Sequence, residues 1–145
     1  MTVEETAEIL TIIKAGLPNA YLKLTEADAR AMVMLWAEMF ANSPKDLVMA
    51  AAKTYVWNDK TGRFPTPGAL RDEMEKIERV INQCAYGSTL WEYMGTSANK
   101  FPPVVQQYME REYRQKHLEI YGREFTGQIE KQMAYMRQLE AGTTD

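Results

Sequence analysis

Apolar residues recur along this chain at steps of three and four, and no window alternates long enough to predict a strand. The first run, Ile9, Leu10, Ile12, Ile13 and Leu17, follows Thr2 and Glu5, whose spacing is that of a capping box. It predicts a short one-sided helix ending at Gly16 or at Pro18. Thr25 opens a second helix, with Asp28 placed to answer its exposed amides. Ala29, Met32, Val33, Trp36, Met39 and Phe40 then make a wide stripe expected to face a core. In "NSPKD", Ser43 is the expected cap and Pro44 the expected first helical residue. Leu47, Val48, Ala51, Ala52, Tyr55 and Val56 complete a third amphipathic helix that stops in "WNDKTG".

A stiff junction, "GRFPTPGALRDEMEKI", comes next. Pro65 biases Phe64 towards extended backbone, and Pro67 does the same to Thr66, the conformation an N-cap needs. Phe64 is expected to pack near Leu70 or the third helix. Leu70, Met74, Ile77, Ile81 and Cys84 then recur at steps of four, three, four and three, a seam for another helix. Gly87, Gly95 and a second proline pair interrupt regularity, with Leu90, Trp91 and Tyr93 able to form a short helix inside the break. From Pro103 a helical pattern resumes through Val105, Tyr108, Met109, Tyr113, Ile120 and Tyr121. After Gly122, Phe125, Ile129, Met133, Met136 and Leu139 share one side of a last helix. The expected fold is all-α: a bundle of about four helices over residues 1–85, an irregular connection over 86–102, and a helical region over 103–145.

Charge and cysteine content narrow the function. The 145 residues carry 17 Lys and Arg against 20 Asp and Glu, mixed throughout, so no segment has the positive excess that a duplex binder uses on phosphates. Protein partners are favoured over nucleic acid. Cys84 is the single cysteine, which excludes an internal disulfide. The start "MTVEETAEIL" is acidic, unlike a secretory signal, and no apolar run approaches the ~20 residues that span a bilayer. A soluble intracellular protein with no membrane contact is expected.

Catalytic chemistry is sparse. With one histidine, His117, and one cysteine, neither a histidine-rich zinc site nor a redox pair is expected, and no glycine-rich phosphate loop is present. The reading is therefore not an enzyme, with no catalytic residue, metal or cofactor. Asp72, Glu73, Glu75 and Glu78 cluster, but Arg71, Lys76 and Arg79 interleave with them, as on a solvated helix face. Arg111, Arg114, Lys116 and Arg123 lie among Tyr108, Tyr113 and Tyr121, a mixture that can follow a single strand by charge and stacking. Glu110, Glu112, Glu119 and Glu124 nearly cancel that charge, and a DNA-binding or regulatory protein using helix 108–123 stands as the alternative function. Of the ten methionines, Met32, Met39 and Met74 are expected in the core. Met133, Tyr135 and Met136 have no later element to cover them, so the last helix either docks back or lies in a partner's groove. Phe125, Ile129, Met133, Tyr135, Met136 and Leu139 form the expected partner-binding set. Trp36, Phe40, Tyr55, Phe64, Pro65 and Pro67 are expected to be structural.

Together, "EILTIIKAGLPNAY", "VMLWAEMFANSPKDLVMAAAKTYV" and "GRFPTPGALRDEM" resemble the phage loader and inhibitor of the replicative hexameric helicase. The likeness lies in an Ile-rich first helix, a second helix bearing Trp36, an alanine-rich third with Tyr55, and a turn holding Phe64, Pro65, Thr66 and Pro67. It runs from Val3 to about Met74, while "FPPVVQQYM" and "QIEKQMAYMRQLEA" echo later segments of longer phage relatives. The Pro-Thr-Pro-Gly turn departs from the adjacent prolines of the family, and Tyr86 to Lys100 has no counterpart in it. The resemblance implies a non-enzymatic adaptor in the cytoplasm of a bacterial host. Such an adaptor binds the hexameric replicative DNA helicase, holds it inactive and helps deliver it to an origin, where an origin-binding protein is a further partner. It also implies a compact N-terminal platform and a C-terminal part that engages the helicase.

Overall fold

A computed structural model describes residues 1–20 and 24–143, giving the backbone alone for 128–134 and 143. Its described residues form seven α-helices and one 3-10 turn, without a strand. Local side chains set most of the helix starts. The Thr2 hydroxyl accepts the Glu5 N–H at 3.1 Å and the Glu5 carboxylate accepts the Thr2 N–H at 2.9 Å, so α1 runs Val3–Gly16 behind a closed capping box. Those bonds hold the Glu5 carboxyl below its ordinary range. Thr25 accepts the Asp28 N–H at 3.1 Å and starts α2, Glu26–Met39. Thr66 accepts the Ala69 N–H at 3.1 Å and starts α4, Pro67–Cys84, as the junction sequence implies.

Helix α3, Lys45–Asn58, corrects one expectation. Pro44, not Ser43, is its N-cap, because Pro44 is extended at φ −64°, ψ 133°, and its carbonyl accepts the first helical bond from Val48. Ser43 is instead turned back, its N–H donating to the Phe40 carbonyl at 3.0 Å. Past α4 come α5, Leu90–Met94, the 3-10 turn Gly95–Lys100, α6, Pro103–Tyr121, and α7, Gln128–Thr143.

The chain divides into two compact units: Met1–Ile77 with Lys100–Val105, and Glu78–Asn99 with Gln106–Asp145. In the first, α1 packs against both α2 and α3. A β-carbon on Gly16 would collide with Val56 Cγ1, so the end of α1 meets α3 where only glycine fits. Ile9, Ile13, Trp36, Phe40, Val48, Ala51, Leu70 and Ile77 are buried in this core. The Trp36 ring lies 5.7 Å from Phe40 and 5.9 Å from Phe64, so the proline-flanked Phe64 reaches α2, an element its sequence position does not point to. Pro65 is buried, and the Tyr55 hydroxyl donates to the Arg63 carbonyl at 3.0 Å, fastening the junction to α3. The Asn58 amide donates to the Lys100 carbonyl at 2.7 Å and fixes the later segment of the same unit.

Met39 is a second correction: it is 56 % exposed instead of buried. At 100° per residue, Trp36, Ala37 and Phe40 turn inward while Met39 shares the outer line of Leu35. On α6, Val105, Met109, Tyr113 and His117 are buried at steps of four, whereas Ile120 and Tyr121 are exposed near its end.

Candidate partner-binding surface

The second unit is built around the end of α4, α5 and α6. Thr89 and Glu92 form another capping box, with bonds of 3.1 and 3.0 Å, that starts α5. The Leu90 N–H donates to the Tyr113 hydroxyl at 3.3 Å. Burial of Tyr113 pushes its phenol up to about 12, and burial of Cys84 pushes its thiol up to about 12. His117 is also buried, with Nδ1 2.8 Å from the Ala85 carbonyl oxygen. A carbonyl only accepts, so Nδ1 carries the proton, and the ring packs tilted against Tyr121 at 4.6 Å and edge-on to Phe125 at 5.1 Å. A histidine so enclosed serves the core and has no access to a substrate.

Phe125 must leave the expected contact set. It precedes α7, is only 8 % exposed, and packs 5.2 Å from Tyr113 with the Arg114 guanidinium 5.3 Å above its ring. Two residues on, Gly127 has φ +79°, and a β-carbon there would press on Glu92 Oε1 and Thr89 Cγ2 at 3.3 Å. The chain therefore passes close beside the α5 cap before α7 begins.

Along α7, Tyr135, Met136 and Leu139 are 62, 59 and 53 % exposed. Every residue from 135 to 142 is exposed. The side chains of Ile129 and Met133, also in the expected set, lie outside the described residues. Tyr135, Leu139 and Met136 fall within about 100° of the helix circumference, a single apolar edge.

The basic residues of α6 and of the turn after it do not make one continuous strip. Arg114 pairs with Glu110 at 2.8 Å, Lys116 donates to Asn82 Oδ1 at 2.7 Å, and Arg123 sits 5.7 Å over the Tyr121 ring. Arg111 is exposed. Tyr113, which a stacking platform would need, is in the core. Among the carboxylates, Glu73 is perturbed, its pKa raised by burial, and no group of three or more His, Cys, Asp or Glu among the described residues is arranged to hold a metal. No described helix is long and apolar enough to cross a membrane.

One surface is not evident from the sequence: the outer side of α2, where Met34, Leu35 and Met39 are exposed beside a groove of about 610 Å³ that Val3 and Glu38 also line. Its signal is present, since α2 is apolar around most of its circumference, but the spacing reads as one wide stripe where two opposite ones exist.

Residues 1–71 match the family model of the phage gene 39 protein, N-terminal domain. Comparison with curated proteins and with solved structures finds no match.

Proposed function

Because residues 1–71 match the family model of the phage gene 39 protein, N-terminal domain, a helicase loader and inhibitor, we propose that this protein is a phage replication adaptor acting on the hexameric replicative helicase of its bacterial host. The family match over 1–71 is the observation that carries the reading. In the proposed mechanism the adaptor binds a helicase state that cannot cycle, and so lowers its activity in solution. An origin-bound protein then competes for the adaptor and releases the ring at the origin. Binding alone does this work, since a ligand shifts an equilibrium by its differential affinity for two states.

The exposed turns of α7 support a place for that contact. Tyr135, Met136 and Leu139 are each more than half exposed on one edge of the helix, and a groove on the helicase would cover them. Arg114 and Tyr113, the best placed of the nucleic-acid candidates, are engaged within the second unit, which favours a protein partner.

The test is to mix the full chain with the purified helicase of a host that supports the phage. A discrete complex on size exclusion with reduced ATPase turnover is expected, and Met136→Glu with Leu139→Glu should weaken it at least about tenfold. Separate elution at micromolar concentrations of both proteins would overturn the reading.

A further inference from the structure

Between α6 and α7 the chain runs as a strap over residues 122–127, and two points hold it to the second unit. Gly122 takes φ +68° as the chain leaves α6. Arg123, Glu124 and Thr126 are exposed, whereas the Phe125 side chain turns inward and is buried. Its ring lies 5.2 Å from Tyr113 and 5.1 Å from His117, both buried, with the Arg114 guanidinium 5.3 Å above it. Gly127 is buried too, at φ +79°, so near α5 that a β-carbon would stand 3.3 Å from Thr89 Cγ2 and Glu92 Oε1. The α5 capping box already locks those two residues to each other. Helix α7 starts at the next residue, Gln128. Its root is therefore seated on α6 and α5, while its Tyr135, Met136 and Leu139 edge stays exposed.

We propose that Phe125 is a positioning residue for partner binding: seated among Tyr113, His117 and Arg114, it fixes the root of α7, so that the exposed edge of that helix meets its partner from a set place. The inference rests on the helicase reading of α7 and adds the device that presents the helix. Without an anchor, residues 122–127 would act as a flexible tether, whose ends wander over roughly 13 Å for a chain of that length. A partner would then have to immobilise the tether as it bound, and the freedom lost would be subtracted from the affinity. One buried ring removes most of that wandering before the partner arrives. Aromatic contacts suit the task, because tilted and edge-on rings fix an orientation as well as a distance. Phe125 would fill the core equally well if α7 did no work, so a test must separate the seat of the ring from the joint that follows it.

Titration of the full chain against the purified helicase reads the joint. Phe125→Ala should raise the dissociation constant roughly tenfold, and Phe125→Leu, which refills the pocket, should keep it within about threefold of the unaltered chain. Two glycines inserted between Gly127 and Gln128 leave the seat intact and loosen only the joint. That insertion should weaken the complex roughly tenfold at an unchanged melting temperature, which a role confined to the core does not produce. A nitroxide on Thr126→Cys reads the strap without any partner, since Thr126 is exposed and the native Cys84 is buried. Its electron paramagnetic resonance spectrum should show a restrained label, and Phe125→Ala should add a mobile component. An insertion that leaves the affinity unchanged overturns the proposal. So does a label that is mobile with Phe125 in place, or one that stays restrained in Phe125→Ala. If the unaltered chain forms no helicase complex, the adaptor reading falls, while a label set loose by Phe125→Ala keeps Phe125 as the anchor of α7.

Discussion

Glu73 holds a carboxylate oxygen, Oε2, out of solvent with no hydrogen-bond partner among the described residues, and burial raises its pKa above the ordinary 4.5. A carboxyl whose folded pKa is raised favours the folded state when protonated. That contribution is present below the unfolded value and is lost as pH rises through the folded one. At neutral pH the charged form is thus a liability, and Glu73→Gln should stabilise the protein by up to about 1 kcal/mol near pH 7, with the gain gone near pH 4. Denaturant melts of both proteins at the two pH values check the sign. Gly16 runs against the usual propensity rule. Alanine in a helix normally improves on glycine by ~0.5 to 1 kcal/mol, but a β-carbon there meets Val56, so Gly16→Ala should cost ~1 to 3 kcal/mol. Val56→Ala in the same chain should recover part of the loss, which a double-mutant cycle would measure.

Elements show which parts of the fold could be read from sequence. The starts of α1, α2 and α4 follow from Thr2, Thr25 and Thr66, because a capping hydroxyl bonds to an amide three residues on and the whole interaction is local. The seam Leu70, Met74, Ile77, Ile81 and Cys84 is buried as its spacing implies, since one helix face needs no knowledge of its neighbour. What was not legible depended on packing beyond the local pattern. Ser43 lost the cap of α3 to a turn closed on Phe40, Met39 lost the core to the rotation of α2, and Phe125 joined an aromatic cluster with Tyr113 and His117. The proposed contact set on α7 was only partly legible for the same reason: periodicity groups Phe125 with Leu139, and tertiary packing separates them. Trp36 shows how much one element can depend on a single side chain. It is 3 % exposed and touches both Phe40 and Phe64, so Trp36→Ala should destabilise the first unit by ~3 to 5 kcal/mol. An unchanged melting temperature would contradict that placement.

At the scale of the whole molecule, the thiol of Cys84 is a reporter for the second unit. It is fully buried and shifted to about 12, so at neutral pH it should react with a thiol reagent only through opening of its surroundings. Labelling that is complete within seconds in the absence of denaturant would contradict this. The first unit has a different dependence. It is completed by Lys100–Val105, where Phe101 is fully buried, although the family match ends at residue 71. Phe101→Ala should therefore weaken the first unit by ~3 to 5 kcal/mol, read by near-ultraviolet circular dichroism or hydrogen exchange of α1 and α3. The interleaving of the chain also constrains its inheritance. A recombination joint at residue 71 would transfer the matched segment without the downstream piece that finishes the core of its unit, leaving a recipient to provide a substitute for Phe101.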